Sequence, residues 1–527
     1  PTGLRGPRHR PLRVTGQRRK RRPAMRNLFR SPGKADWGSL SSAVATGAAV
    51  GGLTTSALGL VAGLLDLTGS RGDAQGLLLG GTVVGLVAAW LFMQVRRPRR
   101  HGTADILTGI TVAFLTMVLA GTLLYLVTGT FSEADDALFE SAAGFSTTAL
   151  TTLDADALGR GMLFFRAGSQ WIGGLTALLL GVAILPALSA DRELADRRRG
   201  GGRRPLAPSG GTAARNVLVL YTGFTLLLAV GYLIAGIGCV GSVVLAVSTA
   251  STGGFVGPGQ PFADPSVQWV AILGMFVAGA SLVILWRIVT RQWHGIRRSA
   301  EFSAYLLLLL GGTLLLGWWS EAGSLAEWRE TLFTLLSSAT TTGFPMEPVG
   351  AWAAAAPVLL LLLASIGPMT GSAGGGFQVF RMLGLVKLAR RELMRQLHPN
   401  LAARIRIGGL VLSEASVGRI VLQQFLFVAV VVGSSAAVAI LGLDVASALA
   451  AGVHATATAG PIRTLEGAIL DPAAWSRPVR LALIPAMLIG RLALYPALVA
   501  LGTAATGVRD QLRLRRRWVS LMAEHGR

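Results

Sequence analysis

The sequence predicts an all-α membrane protein with about ten transmembrane helices, and three observations support that prediction. Apolar residues make up 52% of the 527 residues and charged residues only 14%, well below the share usual for soluble domains. The mean hydropathy is +0.56. Apolar runs of about 18 residues or more, long enough to cross a bilayer as a helix, recur along the chain. These features exclude a disordered chain, a disulfide scaffold and an ordinary soluble enzyme.

The basic residues set the expected orientation of these spans. The apolar segments lie roughly at 40–65, 76–95, 104–129, 161–189, 214–238, 267–290, 302–319, 352–385, 417–442 and 479–506. The chain has 49 Lys and Arg against 26 Asp and Glu, and the basic residues concentrate at alternate ends of the spans, in 1–38, 96–104, 190–215, 287–301, 381–419 and 509–527. The positive-inside rule therefore places both termini on the cytoplasmic side of a multi-pass membrane protein. Topology and lipid contact explain the net charge of +23 without any nucleic acid partner.

The opposite, outer face is predicted to be acidic. It includes Asp135, Asp136, Glu140, Asp154, Asp156, Glu327, Glu330 and Glu347. An acidic face would concentrate cations. Ordinary solvated loops are an equally good interpretation of these residues.

Four of the predicted outer loops share a Thr/Ser cluster that ends in a small residue. The clusters are Ser146-Thr147-Thr148-Ala149, Ser251-Thr252-Gly253-Gly254, Thr340-Thr341-Thr342-Gly343 and Thr456-Ala457-Thr458-Ala459-Gly460. Each follows a short, moderately apolar stretch and lies between two spans. This pattern predicts a span, pore loop and span unit repeated four times in tandem around a pseudo-fourfold pore, after two N-terminal helices.

The repeats divide the chain into seven parts. A basic cytosolic tail at 1–38, expected to be disordered, precedes the two N-terminal transmembrane helices at 39–100. The four pore repeats follow at 101–190, 212–298, 299–398 (with a broken second helix) and 412–508. A second basic cytosolic tail occupies 509–527.

The chemistry expected of such loops is ion coordination. Non-helical backbone is tolerated at membrane depth only where it lines a cavity or is buried in protein. Four such loops around one axis would present backbone carbonyls that replace the hydration shell of a monovalent cation. The candidate ion-binding residues are Thr147, Thr148, Ala149, Thr252, Gly253, Gly254, Thr341, Thr342, Gly343, Thr458, Ala459 and Gly460. A single Thr/Gly cluster would more often be a solvated turn, and the fourfold recurrence favours the pore.

A second feature is the interruption of the span at 352–385. Residues 367–376 contain five glycines and a proline, and no intact transmembrane helix passes through such a segment. A broken helix that lines a pore can act as a gate, although a packing hinge is also possible. Arg491 lies within the last apolar segment, where a buried guanidinium needs water or a partner. It could oppose cations beneath the filter, or bond carbonyls of the broken helix. The candidate gate residues are Gly371, Gly374, Gly375, Gly376, Gln378 and Arg491.

Two other function classes compete with a channel-like cation transporter. An ion-coupled carrier is expected to hold a carboxylate near the midplane, and the span interiors are nearly free of Asp and Glu. A membrane-embedded enzyme needs a nucleophile with an adjacent base, or a metal cluster. The chain has one cysteine, Cys239, and six scattered histidines, so we expect neither an enzyme nor a bound cofactor.

At these motifs the sequence resembles the Trk/Ktr/HKT superfamily of potassium transporters, most closely its bacterial TrkH/TrkG branch. The most specific stretches are 164–174, 371–381, 391–400 and 487–492. The resemblance implies channel-like potassium uptake across the plasma (bacterial inner) membrane, with K⁺ as the transported ion at the filter carbonyls. It also implies a homodimer with one pore per protomer, and a cytosolic ring of nucleotide-binding regulatory subunits of the TrkA type.

The sequence departs from the family pattern at the sites that matter for selectivity. Ala149 replaces the first filter glycine, Gln378 replaces a lysine and Ala493 replaces an acidic residue, while Ala457-Thr458 replaces an asparagine pair. Alanine in the left-handed region costs about 1–2 kcal/mol, so the first loop would accept strain or turn one carbonyl away. Plant members with serine at this position are associated with sodium. We therefore expect weakened K⁺ over Na⁺ selectivity, with a sodium or non-selective monovalent cation channel, or an ion-coupled secondary cation transporter, as the alternatives.

Overall fold

The computed structural model describes residues 37–67, 73–95, 103–184, 210–345, 355–398, 404–460, 464, 471–492 and 502. Two N-terminal helices, α1 (Trp37–Asp66) and α2 (Asp73–Gln94), precede four groups of helices, each of which begins with a long helix followed by a short one. The first group contains α3 (Thr103–Val127), α4 (Ala134–Ser146) and α5 (Arg160–Leu178), which a π-helical turn extends over Leu179–Ile184. The second contains α6 (Gly210–Ile234), α7 (Cys239–Ser251), α8 (Pro265–Gly279), α9 (Leu282–Val289) and α10 (Trp293–Arg297).

The third group contains α11 (Ala300–Trp319), α12 (Leu325–Ala339), α13 (Ala356–Ile366) and α14 (Val379–Leu397). The fourth contains α15 (Glu414–Ile440), α16 (Val445–Ala457) and α17 (Arg477–Arg491). A small antiparallel hairpin of β1 (Arg406–Ile407) and β2 (Leu410–Val411) lies between these groups, with Arg406 opposite Val411. Single 3₁₀ turns occur at Ala155–Ala157, Pro261–Ala263 and Pro472–Ala474.

Within the described residues, six helices are long and apolar enough to cross a membrane: α1, α2, α3, α6, α11 and α15. This confirms the predicted all-α membrane class. The tenth predicted span, 479–506, is described only as far as Leu492, apart from Gly502, and the terminal tails 1–36 and 503–527 lie outside the described residues. The count of ten spans and the pseudo-fourfold arrangement stay predictions.

The apolar segment at 267–290 is not the single straight span that the sequence predicts. It forms α8 and α9, which are bent by 105° at a short break. Ser281 caps α9 by accepting a hydrogen bond from the Val283 N–H. Backbone groups freed at the break pair with another segment, because the Met369 N–H donates to the Gly279 carbonyl and the Leu282 N–H donates to the Gly371 carbonyl. These partners are distant in sequence, so hydropathy alone does not reveal the break.

Each of the four short helices α4, α7, α12 and α16 points into the protein and ends at a predicted filter cluster. Their 13–15 residues are too few to cross a bilayer. Helix α12 begins with a capping box in which Ser324 and Glu327 satisfy each other's backbone groups, and Asp444 caps α16 by accepting from the Ser447 N–H. Helices α4, α7 and α16 are buried over most of their length, and α12 is buried over its second half.

Glycines let the second helix of a group approach the end of a short helix. A Cβ placed on Gly173 would overlap the Phe145 carbonyl at the end of α4, and one on Gly490 would overlap the Thr456 carbonyl at the end of α16. Gly279 sits similarly against Thr340, since its Cβ would lie 2.7 Å from the Thr340 Cγ2. Close backbone packing therefore fixes where the filter clusters lie.

We expect Gly490→Ala to lower the thermal unfolding temperature of the purified protein. The added methyl group must displace the α16 backbone, and overpacking of this kind typically costs about 1–3 kcal/mol. Gly433→Ala in α15 is a matched control, because nothing lies within 4 Å of a Cβ at that exposed position. Equal unfolding temperatures for the two variants in detergent would show that the contact at Gly490 is not tight.

Candidate functional site

The four predicted filter loops meet, each contacting the next. A Cβ built on Gly254 would lie 2.9 Å from the Ala149 Cβ and would overlap the carbonyl of Thr342. One on Gly343 would overlap the carbonyl of Gly460, and one on Gly460 would lie 2.8 Å from the Ala149 Cβ. The contacts thus run from the first loop to the second, third and fourth and return to the first. The structure brings all twelve predicted filter residues together, and each of them is buried.

The chain turns into each filter loop through a threonine in the left-handed region. The φ angles are 58° at Thr147, 52° at Thr252, 60° at Thr341 and 50° at Thr458. This conformation is costly for a β-branched residue and persists only where the surroundings impose it. Among the filter glycines, Gly254 has φ 86° and Gly343 has φ 72°, whereas Gly460 does not adopt a positive φ. The sequence did not predict the positive φ of the threonines.

Ala149 also adopts the left-handed region, with φ 55°. The first loop therefore holds the alanine in the conformation that glycine would take. Of the two expected outcomes, the structure favours accepted strain over a relaxed loop. The methyl group of Ala149 lies beside Gly254 on one side and Gly460 on the other, where a Cβ on either glycine would crowd it.

The residue after each left-handed threonine shows an alternating pattern. In the first and third loops it is a threonine whose hydroxyl pairs with a neighbour, Thr148 with Ser146 at 2.6 Å and Thr342 with Thr340 at 2.8 Å. In the second and fourth loops it is Gly253 or Ala459, which has no polar side chain, and the protein instead engages its carbonyl.

Two side chains hold these carbonyls. Gln170 Nε2 donates to the Gly253 carbonyl at 2.7 Å, and His454 Nδ1 donates to the Ala459 carbonyl at 2.9 Å. A carbonyl oxygen has two lone pairs, so one of the two is already used at each position. Gln170 Oε1 also accepts from the Ser248 hydroxyl and the Phe255 N–H. Gln170 lies in the motif at 164–174 that the sequence analysis singled out, but its role in holding a filter carbonyl was not predicted.

A buried ion pair links the first short helix to α5. Arg166 Nε donates to Glu140 Oε1 at 2.9 Å, and its Nη2 donates to the Thr151 hydroxyl at 2.8 Å. The guanidinium carbon lies 4.2 Å from the ring centroid of Phe255, which follows the second filter cluster. Glu140 is 0% exposed. The expectation that Glu140 belongs to an acidic outer surface is therefore wrong, because a carboxylate that pairs with a buried arginine reads in sequence like any loop acid.

Other outer acidic residues are also engaged by the protein. Arg477 lies 3.6 Å from Asp135, and Arg480 lies 2.9 Å from Asp136, so α17 is joined to the start of α4. Asp156 Oδ1 accepts from the Gly259 N–H. Backbone hydrogen bonds from Gly323 and Ser324 lower the pKa of Glu327. Glu347 lies outside the described residues. The arginine contacts of Asp135, Asp136 and Glu140 weaken the interpretation of this face as a cation-concentrating surface, whereas the lowered pKa of Glu327 keeps that carboxylate charged.

A cavity of about 110 Å³ lies on the far side of the filter loops, and all six predicted gate residues line it. Gly374 and Gly375 lie directly against the filter, since the Gly375 N–H donates to Thr341 Oγ1 at 3.0 Å. Thr370, Arg381 and Gln424 also line this cavity and were not predicted as gate residues.

The break in the predicted helix is a loop whose two ends are hydrogen-bonded to each other. Residues 367–378 are non-helical. The Phe377 N–H donates to the Ser365 carbonyl at 2.8 Å, and the Gln378 N–H donates to the Ile366 carbonyl at 2.7 Å. The chain therefore leaves α13 at Ile366, projects toward the filter and returns to the same place. We call residues 367–376 the gate loop.

Arg491 joins the gate loop to the rest of the pore wall. Its Nη1 donates to the Ala373 carbonyl at 2.7 Å and its Nε donates to the Gly173 carbonyl at 3.2 Å. The side chain is 4% exposed, and Nη2 has no hydrogen-bond partner within the described part of the chain. The geometry matches the interpretation that Arg491 bonds carbonyls of the broken helix, and the unpaired nitrogen leaves a positive charge at the cavity.

We expect Glu140→Gln to destabilise the folded protein strongly. Removing one member of a buried ion pair leaves an uncompensated charge, which typically costs about 3–5 kcal/mol. Glu330→Gln is the control, because Glu330 is 45% exposed in its pair with Arg329 and such pairs contribute little. Thermal unfolding in detergent compares the variants, and equal losses would contradict the assigned burial.

Comparison with known proteins shows which family the chain resembles. The sequence model of the family described as "TrkH: Cation transport protein" matches residues 83–314 and 325–504. The Trk system potassium uptake protein TrkI of Halomonas elongata is 28% identical over 441 residues, covering 81% of this chain and 87% of that protein. The TrkH protein of Salmonella typhimurium is 31% identical over 379 residues, covering 69% and 78%.

A solved structure of a related protein has a similar fold. The crystal structure of the potassium transporter TrkH from Vibrio parahaemolyticus superposes with a TM-score of 0.76 at 25% identity, covering 86% of this chain and 98% of that one. The family model covers well over half of the chain, and the fold matches that of the solved TrkH structure. The resemblance seen in the sequence is confirmed, and this chain belongs to the TrkH family of cation transport proteins.

Proposed function

We propose that this chain is the membrane-embedded, channel-like subunit of a potassium uptake system in the plasma membrane. The relatives are named as potassium uptake proteins. The single observation that supports a channel-like path is the closed series of contacts among the four filter loops around Ala149, Gly254, Gly343 and Gly460. Four loops from one chain can surround an ion in the way a ring of carbonyls requires.

The short helices provide the electrostatics of this site. Each ends at a filter cluster, so four C-terminal, partly negative helix ends face one region. Two hydroxyl oxygens, Thr147 Oγ1 and Thr458 Oγ1, are buried without a hydrogen-bond partner among the described residues. Buried polar atoms are normally satisfied, and these two are available to a cation or its water. Such a site would bind K⁺ through protein oxygens alone, without a cofactor.

The gate loop blocks the path beneath this site. Gly374 and Gly375 contact the third and fourth filter loops, so an ion that leaves the filter meets backbone. Arg491 holds the loop through the Ala373 carbonyl and adds a positive charge. The two interpretations of Arg491, barrier and bonding partner, thus describe one closed state, in which Gly371, Gly374, Gly375, Gly376 and Gln378 form the constriction.

The wider assembly is part of the proposal. The distribution of basic residues favours N- and C-termini in the cytoplasm. The family resemblance supports a homodimer and a cytosolic nucleotide-binding regulatory subunit of the TrkA type. Because Ala149 replaces the first filter glycine, a sodium or non-selective monovalent cation channel is the second candidate function.

We expect Arg491→Ala to increase rubidium flux into proteoliposomes. The substitution removes a positive charge from a low-dielectric pore and releases the Ala373 carbonyl. Arg477→Ala is the control, since Arg477 lies on the same helix but is 57% exposed. Unchanged or lower flux for Arg491→Ala at equal protein density would contradict the proposed gate.

We expect modest K⁺ over Na⁺ preference in the native protein and a higher preference in Ala149→Gly. The glycine removes left-handed strain of about 1–2 kcal/mol and the methyl group between Gly254 and Gly460. A tenfold change in preference corresponds to about 1.4 kcal/mol, so this change is large enough to detect. Bi-ionic flux measurements decide it, and a strong native K⁺ preference that the glycine leaves unaltered would refute the role of Ala149.

A further inference from the structure

Three successive residues of the gate loop form hydrogen bonds to groups in other segments of the chain. The Met369 N–H donates to the Gly279 carbonyl at 3.1 Å, and the Gly371 carbonyl accepts from the Leu282 N–H at 3.0 Å. Between them, the Thr370 N–H donates to Glu301 Oε1 at 2.6 Å. Two of these contacts are made by backbone at the α8–α9 break. The middle one is made by a side chain.

Glu301 also interacts with the chain where it leaves the gate loop. Helix α11 packs against α14, and the Glu301 carboxylate interacts electrostatically with the Phe380 N–H and the Arg381 guanidinium in the first turn of α14. Unpaired N–H groups and the helix dipole make a helix start favourable for a negative charge. One carboxylate in the first turn of α11 therefore bonds the first half of the gate loop and attracts the start of the helix that follows it.

These contacts separate Glu301 from Arg491 in position. Arg491 bonds the gate loop at Ala373, on the side that faces the filter. Glu301 bonds it at Thr370, beside its base. Hydrogen bonds to a charged group are about twice as strong as those between neutral groups, so the Glu301 and Arg491 contacts both restrain the loop more strongly than a backbone–backbone hydrogen bond would.

We propose that Glu301 is a positioning residue that holds the gate loop closed by clasping Thr370 to the start of α14. The inference rests on the proposed function of the gate loop, residues 367–376. Opening then requires the Thr370 N–H to leave the carboxylate. Removing the charge at Glu301 favours the open state, whereas keeping it preserves closure.

The test is rubidium flux into proteoliposomes that contain the full chain. We expect Glu301→Gln to raise flux about tenfold, which corresponds to 1.4 kcal/mol of closed-state stabilisation. Glu301→Asp keeps the charge and should stay near the parent. Glu321→Gln, just beyond the other end of α11, is the exposed control and should leave flux unchanged. Equal flux for Glu301→Gln and the parent, in folded protein, overturns the proposal.

A second measurement reports on the gate loop independently of ion passage. Ser372 is 5% exposed, so a cysteine placed there, in a Cys239→Ala background, should react slowly with a cationic thiol reagent. Adding Glu301→Gln should accelerate the reaction, and adding Glu301→Asp should not. If Glu301→Gln leaves the reactivity of the cysteine unchanged, the clasp is overturned, whatever the ion flux of that variant.

The two measurements separate failure of the clasp from failure of the gate. If Arg491→Ala raises flux while Glu301→Gln changes neither flux nor Ser372→Cys reactivity, the clasp is wrong and the gate stands. If neither Arg491→Ala nor Glu301→Gln changes flux or reactivity, the gate and the clasp are both wrong. Faster labelling with Glu301→Gln alone supports the clasp.

Discussion

Backbone that is not helical at membrane depth must find its hydrogen-bond partners inside the protein, and the rest of this structure depends on that constraint. The filter loops and the gate loop both break helical pairing in the middle of an apolar bundle. Side chains and distant backbone supply the replacement bonds: Gln170 for Gly253, His454 for Ala459 and Thr341 for the Gly375 N–H. The α8–α9 break serves the same purpose for the gate loop.

The four groups of helices each begin with a long helix followed by a short one, but they differ in chemistry. In the first and third loops, threonine hydroxyls pair within the loop, while in the second and fourth, a side-chain nitrogen holds a carbonyl from outside it. The buried Glu140–Arg166 pair supports the first and second loops. Local solutions of this kind let one chain carry different residues at corresponding positions, including Ala149.

Patterns within single segments allowed much of this architecture to be predicted. Apolar runs, Thr/Ser clusters and the glycines of 367–376 are local signals, and they correctly indicated the membrane class, the loops that meet and the broken helix. The bend at Gly279 to Leu282 was missed because its stabilising partners lie at 369–371. The burial of Glu140 and the positive φ of Thr147 depend on tertiary surroundings in the same way. Contacts between distant segments leave no trace in hydropathy.

The closed base of the gate loop has a mechanical consequence. Because Phe377 and Gln378 pair with Ser365 and Ile366, α13 and α14 stay joined while the loop between them changes shape. Movement of the loop then displaces no helix against lipid and leaves the cross-sectional area of the protein in the bilayer nearly constant. Membrane tension does work only on a change of area. A pore whose gate opened only by movement of this loop would therefore be insensitive to membrane stretch.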